Sequence, residues 1–229
     1  MVIEAESDKI PFFKQYFSVA ILVANVIVFI WQLLDPTGQM QIENYAFVPA
    51  EFFAGQKLWT LITSMFMHGD IVHIIMNMWF FIIITDNCEH AMGHVLYFIT
   101  YLVSGLCGSL LHALSTLIIP VWGPILADIP SLGASGAIFG LMGVYLILYP
   151  GNKFYLPSAT GTSMRKVSAG YFIITYFIAE LSYAIYSIYA PFGSQTAHFA
   201  HVGGFIAGAI IAGIFKGVKG TSYKKKPKS

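Results

Sequence analysis

Four polar residues stand in stretches otherwise apolar enough to lie in a membrane, and their types are those of acyl transfer. Ser135 lies in Gly133-Ala134-Ser135-Gly136-Ala137-Ile138-Phe139-Gly140. His73 and Asn77 lie in Met67-His68-Gly69-Asp70-Ile71-Val72-His73-Ile74-Ile75-Met76-Asn77, spaced i, i+4 and so on one helix face. His201 follows His198 in Thr196-Ala197-His198-Phe199-Ala200-His201-Val202-Gly203-Gly204. A serine hydroxyl, a histidine to deprotonate it, and amide or imidazole donors for an oxyanion make up nucleophilic catalysis on an acyl group. Each residue also has an ordinary role: a membrane serine bonds back to its own helix, and a lone histidine is a satisfied core residue. Polar groups inside a span are costly and face the bundle interior, so four of them at similar depth call for a joint explanation.

Depth separates Ser135 from a packing serine. The uncharged run from Gly133 to Tyr149 gives only about 25 Å of helix at 1.5 Å per residue, short of a ~30 Å hydrocarbon core. The preceding Pro120-Val121-Trp122-Gly123-Pro124 and Ile129-Pro130-Ser131 cannot continue a helix. A short helix fed by irregular chain starts below the membrane surface, and backbone at that depth needs protein cover or a water-filled cavity. Ser135 then sits in a first turn, beside N–H groups with no intrahelical partner that can receive an oxyanion.

The elements that must position these groups are apolar runs of spanning length at 16–34, 69–87, 94–119, 133–149, 168–190 and 196–216. With 57% hydrophobic residues, 10% charged residues and a mean hydropathy of +0.71, the composition is that of an integral membrane protein. The expectation is an all-α, six-transmembrane-helix bundle over 16–216, with a short segment 1–15 before it and a basic tail 217–229 after it. The segment 35–67 is too polar to span and reads as short amphipathic pieces in an interfacial loop between helices 1 and 2, anchored by Phe47, Phe52, Phe53, Leu58 and Trp59. Lys9 and Lys14, then Lys153, Arg165 and Lys166, then Lys216, Lys219, Lys224, Lys225, Lys226 and Lys228 fall on one side, with only Lys57 opposite. By the positive-inside rule both termini are cytoplasmic, with 35–67, 120–132 and 191–195 outside. The tail is a topology anchor that could also meet anionic membrane lipids.

Small residues supply close approach. Gly136 and Gly140 form a small-xxx-small pair on span four, and Gly204 and Gly208 another on span six. Together with Gly133 they read as helix-packing positions, and a contact between spans four and six would bring Ser135 Oγ to the His201 imidazole. Cys88 and Cys107 read as buried small side chains, not a disulfide framework. The acidic N-terminus, with Glu4, Glu6 and Asp8, is no signal peptide. No long presequence precedes span one, which points to a prokaryotic plasma membrane.

With these residues in view, the sequence resembles a rhomboid intramembrane serine protease. The resemblance rests on His73-Ile-Ile-Met-Asn77, Glu89-His-Ala-Met-Gly93, Gly133-Ala-Ser135-Gly136 and Ala200-His201-Val-Gly203-Gly204-Phe-Ile-Ala-Gly208, and it covers about 16–216. It implies a six-helix bundle and a Ser–His dyad, with Ser135 as nucleophile and His201 as general base. It further implies that His73, Asn77 and the Ser135 backbone N–H bind the oxyanion, that the substrates are transmembrane segments of other proteins, and that His68 is structural. No cofactor, metal or nucleic acid is implied, and the oligomeric state is left open. Trp59-Thr60 departs from the Trp-Arg of many members, whose arginine ties the outer loop together, so the anchoring of that loop is open here.

Other readings use the same residues. The pattern is not the nucleophile elbow of soluble hydrolases, which needs a glycine where this chain has Ala137. Glu180 in span five could be offered as a third triad member, but an intramembrane Glu is as easily paired with a neighbouring Tyr or Ser hydroxyl, and that pairing is the expectation. Glu89 and Asp86 read as structural, and His90, His94 and His112 as non-catalytic. A binding-only relative of the family would be expected to lack the serine or the histidine. A metal site built from His68, His73, His198 and His201 would need a carboxylate that neither span two nor span six supplies.

Overall fold

A computed structural model describes residues 3–4, 10–35, 37, 39–119, 122–158, 163–190 and 196–219. Lys9, the loop 191–195 and the basic tail with Lys224, Lys225, Lys226 and Lys228 lie outside the described residues. In chain order the elements are β1 (Ile3–Glu4), α1 (Tyr16–Leu33), α2 (Gln39–Tyr45), α3 (Pro49–Phe53), α4 (Thr60–Thr63), α5 (Ile71–Met92), α6 (His94–Ile118), α7 (Gly123–Ala127), α8 (Ser135–Leu148), β2 (Lys153–Pro157), β3 (Met164–Ser168), α9 (Ala169–Ser187) and α10 (His198–Lys219).

Five of these helices, α1, α5, α6, α9 and α10, are long and apolar enough to cross a membrane. The sixth apolar helix, α8, has 14 residues and spans about 21 Å. Every residue from Gly136 to Tyr145 is buried, which is why this helix is apolar all round instead of striped. It packs against α5, α6, α9 and α10, so the short helix that opens on Ser135 is the axis of the bundle.

Glycines set the spacing around that axis. A Cβ on Gly204 would overlap the Gly136 carbonyl, one on Gly208 the Gly140 carbonyl, and one on Gly140 the Ser104 side chain of α6. A Cβ on Gly108 of α6 would stand 2.6 Å from the Ala200 carbonyl. Backbone therefore meets backbone along α6, α8 and α10, the close approach that small residues permit. Gly133 is different from the expected packing role. It precedes α8 with φ 132°, a conformation that L side chains rarely adopt, and lies against the His73 ring of α5 and not against the backbone of a facing helix.

Two boundaries shift for local reasons. Asp70 caps α5 by accepting from the His73 N–H at 2.8 Å. That helix runs on to Met92, beyond the expected 87, and stops at Gly93, whose φ of 77° no helix can hold.

The fold is not all-α as expected. The polar connection 150–167 contains a hairpin, and β1 joins it to make a three-stranded antiparallel sheet in the order β1-β2-β3. Ile3 pairs with Tyr155, and Lys153 with Ser168. Phe154 is buried beneath Tyr145 and Phe172, which fixes the register, since a one-residue slip would turn it outward. The Glu4 carboxylate reaches into the bundle, accepting from Asn87 Nδ2 at 2.8 Å and from the Tyr145 hydroxyl. Strands, Glu4 and Lys216, which donates to the Ile147 carbonyl at 3.0 Å, thus gather at the C-terminal end of α8, away from Ser135.

At that end Glu89 and His94 meet at the junction of three helices. Glu89 accepts from the backbone N–H groups of Phe17 and Ser18, each at 3.0 Å, and lies 2.6 Å from His94 Nδ1, joining α1, α5 and α6.

The segment between α1 and α5 contains the short helices α2, α3 and α4, and its backbone bonds to the chain leading into Ser135. Phe47 and Ser131 exchange backbone hydrogen bonds of 2.9 and 2.7 Å, and the Gly133 N–H donates to the Ser64 carbonyl at 2.9 Å. With Thr60 in place of an arginine, the tie within the loop comes from elsewhere. Lys57 Nζ donates to the Glu43 carbonyl and to Glu51 Oε1, both at 2.7 Å. Trp59 Nε1 donates to the Asn44 carbonyl at 3.1 Å.

Candidate active site

Ser135 is the first residue of α8, where its N–H has no intrahelical partner. Its Oγ lies 2.8 Å from His201 Nε2. His201 arrives on the first turn of α10, beside the glycine contact between α8 and α10, and its ring lies flat on Phe139 at 4.2 Å between centroids. Ser135 and His201, predicted from different spans, are thus brought into direct contact.

His73 and Asn77 face the same space from α5. His73 Nδ1 accepts from the Gly69 N–H at 3.3 Å, so in a neutral ring the proton sits on Nε2. A methyl built on Gly133 would meet His73 Nε2 at 2.9 Å and Ser135 Oγ at 3.6 Å, so the His73 ring and the Ser135 hydroxyl open onto one spot. Asn77 is 8% exposed, and its Nδ2 has no hydrogen-bond partner among the described residues. A buried, unspent donor is costly unless something arrives to use it. Ser135, His73, Asn77 and His201 all line one cavity of about 920 Å³.

His68 does not join them. Its backbone is clamped by the Gln32 side chain, which accepts from the His68 N–H at 2.9 Å and donates to its carbonyl at 3.0 Å. Its ring packs edge-on against Phe29 and His73. Burial, followed by the neighbouring His73, pushes its imidazole down to about 4, so it stays neutral. The structural role expected of His68 fits this surrounding.

Glu180 departs from its expected hydroxyl partner. Its Oε2 lies 2.9 Å from His201 Nδ1 and 2.7 Å from His198 Nδ1. The carboxylate beside the two histidines of α10 comes from α9. Glu180, His198 and His201 have donor atoms within 4.8 Å of one another, the cluster of the described residues able to hold a metal, whereas His68 and His73 stand apart from it. At 2.7 and 2.9 Å the members are in direct hydrogen-bonding contact. A sequence signal for this group existed: one acid alone in an apolar span needs a partner, and histidines three apart share a helix face.

Comparison with known proteins shows the family. The rhomboid domain model matches residues 55–217. The chain is 32% identical over 154 residues to RHOMBOID-like protein 6, mitochondrial, of Arabidopsis thaliana, covering 67% of this chain and 42% of that protein. It is 26% identical over 197 residues to Rhomboid-like protease 3 of Toxoplasma gondii, covering 83% and 66%. A third relative is named Inactive RHOMBOID-like protein 8, from Arabidopsis thaliana, 27% identical over 151 residues and covering 66% and 36%. The chain spans between 33% and 66% of the length of the first curated relatives it matches. These relatives are eukaryotic, and the first carries a mitochondrial name, so they lend no support to a prokaryotic plasma membrane. A domain match over more than half the chain, five helices fit to cross a bilayer, and a serine and histidine in contact at the core converge: this integral membrane protein belongs to the rhomboid family.

Proposed function

We propose that the chain is an intramembrane serine endopeptidase that cuts transmembrane segments of other membrane proteins near the outer face. The observation that carries this reading is the 2.8 Å contact between Ser135 Oγ and His201 Nε2 inside a cavity that also holds Asn77, whose Nδ2 has no partner among the described residues. In the reaction Ser135 Oγ attacks the scissile carbonyl carbon and its proton passes to His201 Nε2. The carbonyl oxygen becomes an oxyanion, received by the Ser135 N–H, Asn77 Nδ2 and the His73 ring. Collapse breaks the C–N bond as His201 returns the proton to the leaving amine, and water then repeats the sequence on the acyl-enzyme. In this reading α8 is the sixth spanning helix, its shortness places Ser135 below the outer surface, and both termini are cytoplasmic.

The test is covalent labelling of the reconstituted protein with a fluorophosphonate, with and without a chelator. Labelling of wild type that survives chelation and is absent in Ser135→Ala is the expected result. An unlabelled wild type would point to a binding-only family member. Chelator-sensitive cleavage by an unlabelled protein would point to metal chemistry.

A further inference from the structure

Glu180 is the one acidic residue of α9, and it is 7% exposed in an otherwise apolar helix. A carboxylate at that depth is retained only when its charge is met, and here two imidazoles meet it. His198 and His201, three residues apart, present their rings from one face of α10 toward α9. Both Nδ1 atoms lie within hydrogen-bonding distance of the same oxygen, Glu180 Oε2. One turn along α9, Tyr183 stacks on the His198 ring at 5.2 Å between centroids. Two residues of α9 thus clasp two histidines of α10.

Building on the serine reading above, we propose that Glu180 is a positioning residue for His201, with His198 as its second anchor. An ionised carboxylate accepts only, so each Nδ1 that contacts it must carry the proton. In His201 this leaves the Nε2 lone pair, and Nε2 is the atom that faces Ser135 Oγ. Phe139 holds the plane of the ring and Glu180 holds its rotation. During attack the Ser135 proton moves to Nε2 and makes His201 an imidazolium. Glu180 stays ionised, takes no proton, and stabilises that cation from 2.9 Å. His198 touches no reacting atom; its bond to Oε2 fixes the carboxylate.

The experiment measures kcat and KM for cleavage of a reconstituted single-span substrate by wild type, Glu180→Gln, Glu180→Asp, His198→Gln and Ser135→Ala, with thermal unfolding of each. Expected for Glu180→Gln is a kcat loss of about 10²-fold or more, KM within about twofold, and a folded protein, since loss of an orienting carboxylate acts on the step and not on binding. Glu180→Asp should recover part of the rate, and His198→Gln should lose about tenfold or less. A folded Glu180→Gln with wild-type kcat overturns the positioning role, as does wild-type activity abolished by a chelator and restored by zinc. If Glu180→Gln does not fold, ¹⁵N-histidine spectra of wild type decide. A protonated Nδ1 and unprotonated Nε2 at His201 support the assignment, and the opposite tautomer removes it. Cleavage by Ser135→Ala would defeat the serine reading itself, whereas a dead Ser135→Ala beside a fully active Glu180→Gln defeats only this inference.

Discussion

Gly204 of α10 packs against the Gly136 carbonyl of α8 so closely that any Cβ on it would overlap that oxygen. Gly136 and Gly204 each lie within a turn of the reactive pair, so this contact sets the distance between Ser135 and His201. Gly204→Ala must push the helices apart or twist them. Overpacking of this kind costs about 1–3 kcal/mol, and the Ser135–His201 contact should open with it. Thermal unfolding and the rate of fluorophosphonate labelling should both fall. Wild-type values of both would mean that the glycine contact does not position the pair.

Asn77→Ala should lower kcat by about 10²–10³, the usual loss for one oxyanion donor. His73→Ala should cost a comparable amount, since it donates without acting as base. Both side chains line the cavity, and among the described residues neither hydrogen-bonds to another helix of the bundle, so stability should stay near wild type. An Asn77→Ala enzyme that cuts at the wild-type rate would remove the amide from the oxyanion site.

His68 ties stability to pH. Its imidazole is at about 4 in the folded protein, against 6.5 for the unperturbed group. Between these values the unfolded chain binds the extra proton, so the contribution is complete above pH 6.5 and declines as pH falls toward 4. The decline from this one residue is at most about 3 kcal/mol. His68→Phe should unfold with a flatter pH dependence across that window, whatever its absolute stability. Parallel wild-type and variant curves would show that burial of this ring is not what depresses it.

Substrate choice should follow helix weakness. A peptide bond inside a stable helix cannot reach Ser135 until a turn unwinds, and in lipid each freed backbone group costs several kcal/mol. Glycine lowers helix propensity by ~1 kcal/mol per residue relative to alanine. A single-span substrate with Gly and Ala near its outer end should be cut much faster than a version whose outer half is all leucine. Equal cleavage would leave sequence reading or dimerisation as the selector.

The parts of the site legible in the sequence are those where a polar residue violates its surroundings. Ser135, His73, Asn77 and His201 stand out because a membrane span has no ordinary use for so many of them at one depth. Of the Glu180 pairing only half was legible: a lone acid in an apolar span signals that it needs a partner, but which partner it meets depends on how α9 is rotated about its own axis, which no periodicity reports. Gly133 read as a packing glycine because helix starts are uncertain by a residue or two, and it lies two residues before α8 begins. The hairpin was missed for another reason. Its strands have five residues each, and Lys153, Arg165 and Lys166 gave the segment the look of a solvated loop, with only Phe154 turned into the core.

The most direct test of the account is cleavage of one reconstituted single-span substrate by wild type, Ser135→Ala, His201→Ala and the double variant. In the proposed mechanism Ser135 and His201 act as a unit, so each single variant should be folded and inactive, and the double no worse than either. His198→Ala should stay far more active than His201→Ala, which separates the two histidines of α10. Specific cleavage retained by Ser135→Ala or by His201→Ala would contradict the mechanism.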